Sequence, residues 1–515
     1  MKLRSCSTIV TALLLAFGAC HTPVPPALGP AQVPSNFTAP AARGAPVWPS
    51  PAWWTGFGST EMSTLIAAAE STNLDLAAAT ARVLEAEAQA KTAGAVLLPS
   101  ATASATAQRA RSSQGGGPSG PSPVVANAFG LSLNASYQLD FFGGARANLR
   151  SAQELVLASR YAQQVVALSI TANVADTYLG VLALRQRIAI AKENADAAKR
   201  VLANVEAKVR AGASSALDLA QQQTTLATIE AVIPALEEQE REARYSLAIL
   251  LGRLPEGFDV QGSNLDSILT EQVAPGLPSE LLRRRPDVAV AEANLASAHA
   301  DIDAARAAYF PQIGLTGSGG YQSTALSALF TGGGFVWSAG ASLVHTIFDG
   351  GARGGQLHLA EARQQELLAN YRSSVLNAFS DVETQLGQTS SLADQERLRT
   401  AQTNAAAEAF RISELQYREG TVDLLNVLTA QQTLFSAQDQ LVQIRLARLQ
   451  ANIGLYQALG GGWSEPSDLA SQPIPAQSTP VEHGPPATAP PEPSPIPKTP
   501  GPGPESIPTV PQPPR

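Results

Sequence analysis

Cysteine, methionine and histidine are scarce in this 515-residue sequence, and each scarcity excludes a class of site. The two cysteines are Cys6 and Cys20, and Cys6 lies in a basic N-terminal region predicted to be removed, so no intramolecular disulfide is expected. The two methionines, Met1 and Met62, exclude the clustered thioethers that a Cu(I) or Ag(I) route would need. The five histidines follow no metal-ligand spacing: His21, His299, His345, His358 and His483. No metal site, cofactor or catalytic site is therefore predicted, and the chain is not expected to be an enzyme.

Excess positive charge and long apolar runs are also lacking. The net charge is -8, which leaves no basic surface for nucleic acid. No uninterrupted apolar run of 18 or more residues occurs, so no transmembrane helix is expected.

The two ends of the chain differ in kind from the middle. A basic start, an apolar run over Ile9–Phe17 and the small residues Gly18-Ala19 before Cys20 predict a signal peptide over residues 1–19. Small residues before a cysteine resemble the lipobox of bacterial lipoproteins, which implies that Cys20 is lipidated, with acyl chains such as palmitate; an ordinary secretory signal is the alternative. Residues 464–515 include 18 prolines among 52 residues, so this tail is predicted to be disordered.

The middle of the chain repeats itself at an offset of about 207 residues, which is too long for a solenoid unit. Gly143-Gly144-Ala145-Arg146 returns as Gly350-Gly351-Ala352-Arg353, and Leu251-Gly252 returns as Leu459-Gly460. This pattern predicts tandem duplication of one large module.

Each half is predicted to run helix, strand, strand, very long helix, turn, helix. The first helices, 73–98 and 286–310, stop before prolines. The long helices, 145–211 and 352–419, would each extend about 100 Å, which indicates a coiled coil or a helical tube. Return helices follow at 217–251, where Pro234 should cause a kink, and at 422–459.

The strands alternate apolar and polar side chains with a period of two. The predicted strands are 101–108, a strand alternating from Phe129 to Leu139, 312–322 and 335–343. An apolar face for lipid and a small polar face for a lumen suit a membrane barrel. Four strands cannot close, and open edges in lipid are costly, so we expect three chains to form one barrel of 12 strands above a tube of 12 helices.

Several longer motifs add a resemblance over residues 45–463. They are Tyr137-Gln138-Leu139-Asp140-Phe141-Phe142-Gly143, Leu281-Leu282-Arg283-Arg284-Arg285-Pro286-Asp287, Tyr309-Phe310-Pro311, Phe348-Asp349-Gly350-Gly351 and Ala458-Leu459-Gly460-Gly461-Gly462-Trp463. The chain resembles the TolC-like outer-membrane efflux proteins, and within them the NodT-type lipoproteins. The resemblance implies a mixed fold: a trimeric outer-membrane β-barrel continued by a long periplasmic α-helical barrel.

The resemblance also implies a function and partners. The chain would be a passive homotrimeric duct, anchored in outer-membrane lipid, that exports small molecules such as drugs and solvents. It would work with a periplasmic adaptor and an inner-membrane RND-type pump. The implied organisation is a signal peptide (1–19), an N-terminal periplasmic segment (20–60), a first repeat (61–252), a linker (253–280), a second repeat (281–463) and the proline-rich tail (464–515).

The turns after the long helices are the implied contacts with the adaptor. The residues concerned are Arg210, Gly212, Ser214, Arg418, Gly420 and Thr421. The same glycines are also the usual way to end a helix, and both roles can hold together.

A gate is implied where family members place inward Asp and Leu rings, six and nine residues after the tip glycine for the acids. Those acid positions carry Asp218 and Gln221 in the first half and Asn426 and Thr429 in the second; Leu425 fits the apolar ring, and Asp423 is a nearby acid. The expected gate is therefore less acidic than usual. Asp218 alternatively serves only as a helix N-terminal carboxylate.

Two other functions remain open at the level of sequence. A structural envelope lipoprotein could use the long helices as a spacer, although a spacer does not need amphipathic strands. A type I protein-secretion duct would share the same architecture.

Overall fold

The computed structural model describes residues 37–39, 48–114, 122–269 and 278–463. Cys20 and the proline-rich tail lie outside the described residues. A 3₁₀ turn, Trp53–Phe57, and a single helical turn, Pro278–Leu281, accompany the main elements. In chain order these are α1 (Thr60–Thr72), α2 (Leu74–Ala95), β1 (Ser100–Gln114), β2 (Ser122–Leu139), α3 (Gly144–Arg210), α4 (Ala216–Leu250), α5 (Pro286–Ala307), β3 (Gln312–Ser323), β4 (Phe335–Val344), α6 (Ala352–Arg418) and α7 (Leu424–Ala458).

The duplication is visible in the lengths of the helices. The long helices α3 and α6 both have 67 residues, and the return helices α4 and α7 both have 35. At 1.5 Å per residue the long helices extend about 100 Å, as expected. Helix α3 continues through Gly180, and α4 continues through Pro234 without a break in the helix.

Several helix boundaries differ from the predictions. Helix α2 ends at Ala95 rather than Leu98, and α5 ends at Ala307 rather than Phe310, because i→i+3 bonds tighten each last turn before the proline. Helix α1 and the turn before it were not predicted. Their apolar side chains, including Trp53 and Met62, belong to the largest core cluster.

The four strands form one antiparallel sheet in the order β1-β2-β3-β4. The register pairs Ala103 with Leu133, Leu133 with Gly319 and Gly319 with Trp337, so the alternating positions of the four strands share one face at this level of the sheet. Within the described residues, β1 and β4 are the edge strands of the sheet, each paired on one side only.

One stretch of α3 is apolar enough to cross a membrane by composition and length. This finding rests on length and composition alone, so it does not contradict the expectation that no helix of the chain spans a membrane. Half of that window is buried inside the chain, where Val174, Leu179 and Leu182 join the largest core cluster. This stretch packs as a core helix.

Two arginines on α3 connect this helix to the second repeat and to the linker. Arg187 on α3 donates to Asp439 on α7 at 2.6 Å. Arg185 donates to Glu240 on α4 at 2.9 Å and to the carbonyl oxygens of Val260 and Gly262 in the linker, at 2.6 and 2.8 Å. The start of the linker is thereby held along α3.

Candidate functional site

Both long helices end in the same backbone motif at the tip of the molecule. The amides of Gly212 and Ala213 donate to the carbonyl oxygens of Val209 and Lys208, at 3.0 and 2.8 Å. After α6 the amides of Gly420 and Thr421 make the same two bonds. The glycines have φ of +74° and +77°, a conformation that disfavours side chains with a Cβ. The tip glycines therefore do end their helices in the way their residue type predicts.

The first tip is held by a capping box. Ser215 caps α4 by accepting a hydrogen bond from the Asp218 amide, and the Asp218 carboxylate accepts one from the Ser215 amide at 2.9 Å. The Ser214 hydroxyl donates to the same carboxylate at 2.7 Å. These donors lower the pKa of Asp218 because they stabilise its ionised form.

The second tip lacks this capping box. Asp423 occupies the N-cap position of α7, but its side chain caps no backbone amide. Asn426 stands where the first tip has Asp218. Asp423 is exposed, so it presents a carboxylate that is not used by a capping box. The two tips therefore differ in how firmly their return helices are started.

The remaining predicted gate positions lie on the exposed side of the return helices near the tip. Leu425 is 64% exposed, and Asn426 and Thr429 are exposed on the same helix face. Gln221 is half-buried on α4. Leu217, which sequence reasoning did not single out, is 65% exposed and, like Leu425, follows its tip glycine by five residues. The repeat offset would have found it.

The predicted tip residues surround the two turns. Arg210 and Arg418 are exposed at the last positions of α3 and α6, and Arg418 pairs with Glu414 at 3.4 Å. The Thr421 hydroxyl donates to the carbonyl oxygen of Gln416 at 3.0 Å. Ser214 is half-buried, and its hydroxyl donates to Asp218.

A contact that the sequence does not signal joins the two repeats just behind the tips. The Lys208 ammonium on α3 donates to the carbonyl oxygen of Tyr417 on α6 and lies 4.0 Å from the centroid of its ring. Tyr417 is buried with Val205, Leu424 and Val427. A cation over an aromatic ring inside an apolar cluster clamps the two helical hairpins together.

The other end of the molecule presents a sheet with two different faces. On one face, hydroxyl pairs cross the strands: Ser100 with Ser136 at 2.7 Å, Ser104 with Ser132 at 2.8 Å, and Ser318 with Ser338 at 2.8 Å. The other face carries exposed apolar side chains such as Leu133 and Trp337. This arrangement suits lipid on one side and water on the other.

Strands β2 and β4 each pass into a long helix through a turn organised by an aspartate. The Asp140 carboxylate accepts hydrogen bonds from the amides of Ala145 and Arg146 and from Arg146 Nε, at 2.9–3.0 Å. In the second repeat Asp349 accepts from the Arg353 amide at 3.2 Å and from Arg353 Nε at 2.6 Å. The aspartates stand six and four residues before their arginines, so the two repeats reach the same end by different spacings.

No group of three or more His, Cys, Asp or Glu able to hold a metal lies within the described residues. His299 contacts Gln364, and His358 pairs with Glu361 at 3.4 Å.

Asp176 on α3 is a carboxyl in an apolar setting, and we expect it to make stability depend on pH. Its Oδ1 is buried without a hydrogen-bond partner, and burial raises the pKa of Asp176 to about 7. Folding therefore takes up a proton between the ordinary pKa and about 7, so stability falls as pH rises through that range. Asp176→Asn should raise the free energy of unfolding at pH 8 by at most about 4 kcal/mol per chain. The melting temperature at pH 8 should rise accordingly.

The comparison that checks this uses melting curves at pH 5 and pH 8 for the wild type and for Asp176→Asn. The matched control is Asp394→Asn, since Asp394 is 73% exposed on α6. An Asp176→Asn variant that melts at the same temperature as the wild type at pH 8 contradicts a costly buried charge at this position.

The sequence and the fold are both similar to those of known outer-membrane proteins. A family model described as "Outer membrane efflux protein" matches residues 65–253 and 277–461. The chain is 42% identical over 468 residues to the pyoverdine export outer membrane protein OpmQ of Pseudomonas aeruginosa, covering 90% of this chain and 98% of that protein. It is 31% identical over 410 residues to the cation efflux system protein CusC of Escherichia coli, covering 80% of this chain and 88% of CusC. The solved structure of the outer-membrane channel OprN superposes with a TM-score of 0.78 at 29% identity, covering 85% of this chain and 99% of that one.

Proposed function

This chain belongs to the outer membrane efflux protein family, and we propose that three copies of it form the exit duct of a tripartite efflux system whose pump is of the RND type. Location in the outer membrane and a role in efflux follow from the family. The duct itself is passive. Energy for export comes from the inner-membrane pump, which a periplasmic adaptor connects to the helical tips.

The observation that carries the proposal is the four-stranded sheet with two unpaired edges and two unlike faces. A sheet edge in lipid leaves backbone amides and carbonyls without partners, at several kcal/mol per group. Pairing β1 of one copy with β4 of the next removes every edge. Three copies supply 12 strands, which leave a water-filled lumen, whereas the 8 strands of a dimer would be filled by side chains.

We therefore expect the detergent-purified protein to be a trimer that forms pores. Its mass, measured by light scattering with the detergent contribution subtracted, should be three times that of the chain. The same preparation should insert into planar bilayers and conduct ions.

Two outcomes decide the matter. A monomer or dimer that still conducts would overturn barrel closure by three copies. A stable trimer that never conducts would favour the structural lipoprotein, whose long helices act as a spacer.

The helical tips are the proposed contact with the adaptor. Arg210, Gly212, Arg418, Gly420 and Thr421 are exposed there, and Ser214 braces the first turn. The two repeats present similar but unequal turns, so each adaptor helix would meet either a capped or an uncapped return helix. Adaptor binding that survives Arg210→Glu and Arg418→Glu together would contradict this assignment.

The gate is proposed at the same end, on the exposed faces of α4 and α7. Leu217 and Leu425 are the apolar members, and Asp423 is the free acid. Asp218 remains a candidate for the acidic ring, but its carboxylate also holds the capping box, so it cannot move without loosening the tip. Gln221, Asn426 and Thr429 supply uncharged polar groups.

Lipidation of Cys20 is proposed as an additional anchor, on the sequence before it alone. Acyl labelling that survives Cys20→Ser would contradict it.

With Met62 fully buried and Met1 in the signal peptide, the chain offers no exposed thioether groups along which a soft metal cargo could pass. This favours organic small molecules over Cu(I) as the cargo, and copper export that depends on this chain would contradict it.

A further inference from the structure

The strands and their connections are almost free of charge. Residues 100–139 and 312–344 include two ionisable residues of the Asp, Glu, Lys and Arg types, and both are arginines on β1: Arg109 and Arg111. This part of the chain therefore holds a basic pair and no acid. It needs a partner from outside the chain.

Both arginines lie on the apolar face of the sheet. Arg109 pairs with Asn127 and Arg111 with Val125, and both follow Ala103, Ala105 and Ala107 at steps of two residues. Alternation in a strand puts residues two apart on one face. The hydroxyl pairs lie on the opposite face, so cargo in the lumen does not meet these guanidinium groups.

A group of aromatic rings on the same face gives a reference level for the position of the two arginines along the sheet. Tyr321 packs against Phe330 at 5.4 Å and Phe335 at 5.6 Å between ring centroids, and Trp337 on the same face is 73% exposed. Phe129 pairs with Ala107, so Arg109 and Arg111 lie two and four residues further from the helices, about 7 and 13 Å. Aromatic side chains mark the level of lipid headgroups in membrane barrels.

Nothing in the described part of the chain neutralises the two arginines. Both are exposed, and neither forms an ion pair with an acid in the described residues. A neighbouring copy cannot supply an acid at this level, because its strands and connections likewise contain no Asp or Glu. In a trimer six guanidinium groups would therefore face outward just above the aromatic level.

We propose that Arg109 and Arg111 bind the phosphate groups of phosphorylated glycolipids in the outer leaflet of the outer membrane. The inference rests on the outer-membrane location of the sheet. The long side chains lie along the apolar wall and extend their charged ends to the headgroups. Guanidinium groups bind phosphate in a planar, two-pronged geometry, which makes arginine the suitable residue here.

The test measures glycolipid binding to the full-length protein in neutral detergent. The probe is a diphosphorylated glucosamine glycolipid, followed by microscale thermophoresis, with the same glycolipid lacking both phosphates as comparator. Replacing both residues (Arg109→Gln with Arg111→Gln) should weaken binding of the phosphorylated probe about thirtyfold, and each single change about fivefold.

The matched control replaces two exposed arginines of α6, Arg363→Gln with Arg397→Gln, and should leave binding unchanged. The charge-conserving pair Arg109→Lys with Arg111→Lys should bind between the wild type and the double glutamine variant. Trimer mass is measured for every variant, so loss of lipid binding is distinguished from loss of the barrel.

Three results would overturn the proposal. The double glutamine variant could bind as tightly as the wild type, or the phosphate-free glycolipid could bind the wild type as tightly as the phosphorylated one. Inorganic phosphate could also compete at concentrations similar to the glycolipid, which would make this a site for free anions. The last two results need no variant at all.

Discussion

Replacing Leu217 and Leu425 together by serine is expected to convert a nearly closed duct into a leaky one, with single-channel conductance raised severalfold in planar bilayers. Both side chains are about two-thirds exposed in the single chain, and both stand five residues beyond a tip glycine. In the proposed trimer, three copies would bring six leucines to one level of the tube. A narrow apolar ring excludes water and ions by dewetting, and hydroxyl groups would rewet it.

The control replaces two leucines that are equally exposed but far from the tips. Leu376 and Leu398 on α6 are 63% and 59% exposed, so Leu376→Ser with Leu398→Ser should leave conductance at the wild-type value. Conductance that is unchanged in the Leu217 and Leu425 variant, or raised equally in both variants, would place the constriction elsewhere.

Permeability measurements in the same bilayers should distinguish the roles of the two acids at the tips, Asp423 and Asp218. Asp423→Asn is expected to lower cation over anion permeability without changing the trimer, because this carboxylate holds no capping box. Asp218→Asn also weakens the capping box around Ser215, because a neutral amide oxygen is a poorer acceptor than a carboxylate, so it should loosen the first tip as well as remove charge. Equal effects of the two changes on permeability alone would show that the capping box has no part in closure.

Arg285→Ala is expected to lower the free energy of unfolding by about 2–3 kcal/mol, because it removes charge-assisted hydrogen bonds to two carboxylates and the side-chain donor to a carbonyl oxygen. The Arg285 side chain is 10% exposed. It donates to Asp287 at 3.0 and 2.7 Å, to Asp381 on α6 at 3.0 Å and to the carbonyl oxygen of Ala458 on α7 at 3.2 Å. One guanidinium thereby ties the start of α5 to two other helices.

Denaturant unfolding of the detergent-solubilised protein measures this effect. Arg397→Ala is the matched control, since Arg397 is 71% exposed beside Asp394 and its loss should cost about 0–1 kcal/mol. Arg285→Lys should fall between the two, because lysine keeps the charge but cannot bind Asp287 with two prongs. An Arg285→Ala variant no less stable than Arg397→Ala would contradict the structural role of this residue.

The motif around Arg285 shows what could be predicted from the sequence and what could not. Leu281 to Asp287 is recognisable as a family motif from its order of residues, but the order alone does not say which of the three arginines is buried. The structure assigns them different surroundings: Arg285 is enclosed by three helices, and Arg284 lies over the ring of Trp48 at 4.7 Å.

The tips show the same limit. Gly212 and Gly420 could be predicted as helix ends because a glycine with positive φ is a local requirement. The capping box at Asp218 is also local, and the sequence left a role at the helix N-terminus open as an alternative to the gate. The clamp between Lys208 and Tyr417 joins residues separated by 209 positions, so no local pattern announces it.

By itself, the sequence determined the order of the elements, the equal pairs of helices and the two faces of each strand. These features depend on interactions within a few residues or on a period that repeats along the chain. Only the tertiary structure decided which charges are enclosed, which acid lacks a partner, and that Arg109 and Arg111 share the apolar face above the aromatic rings. Such features depend on which distant segments meet, and the packing of helices and the register of strands determine that.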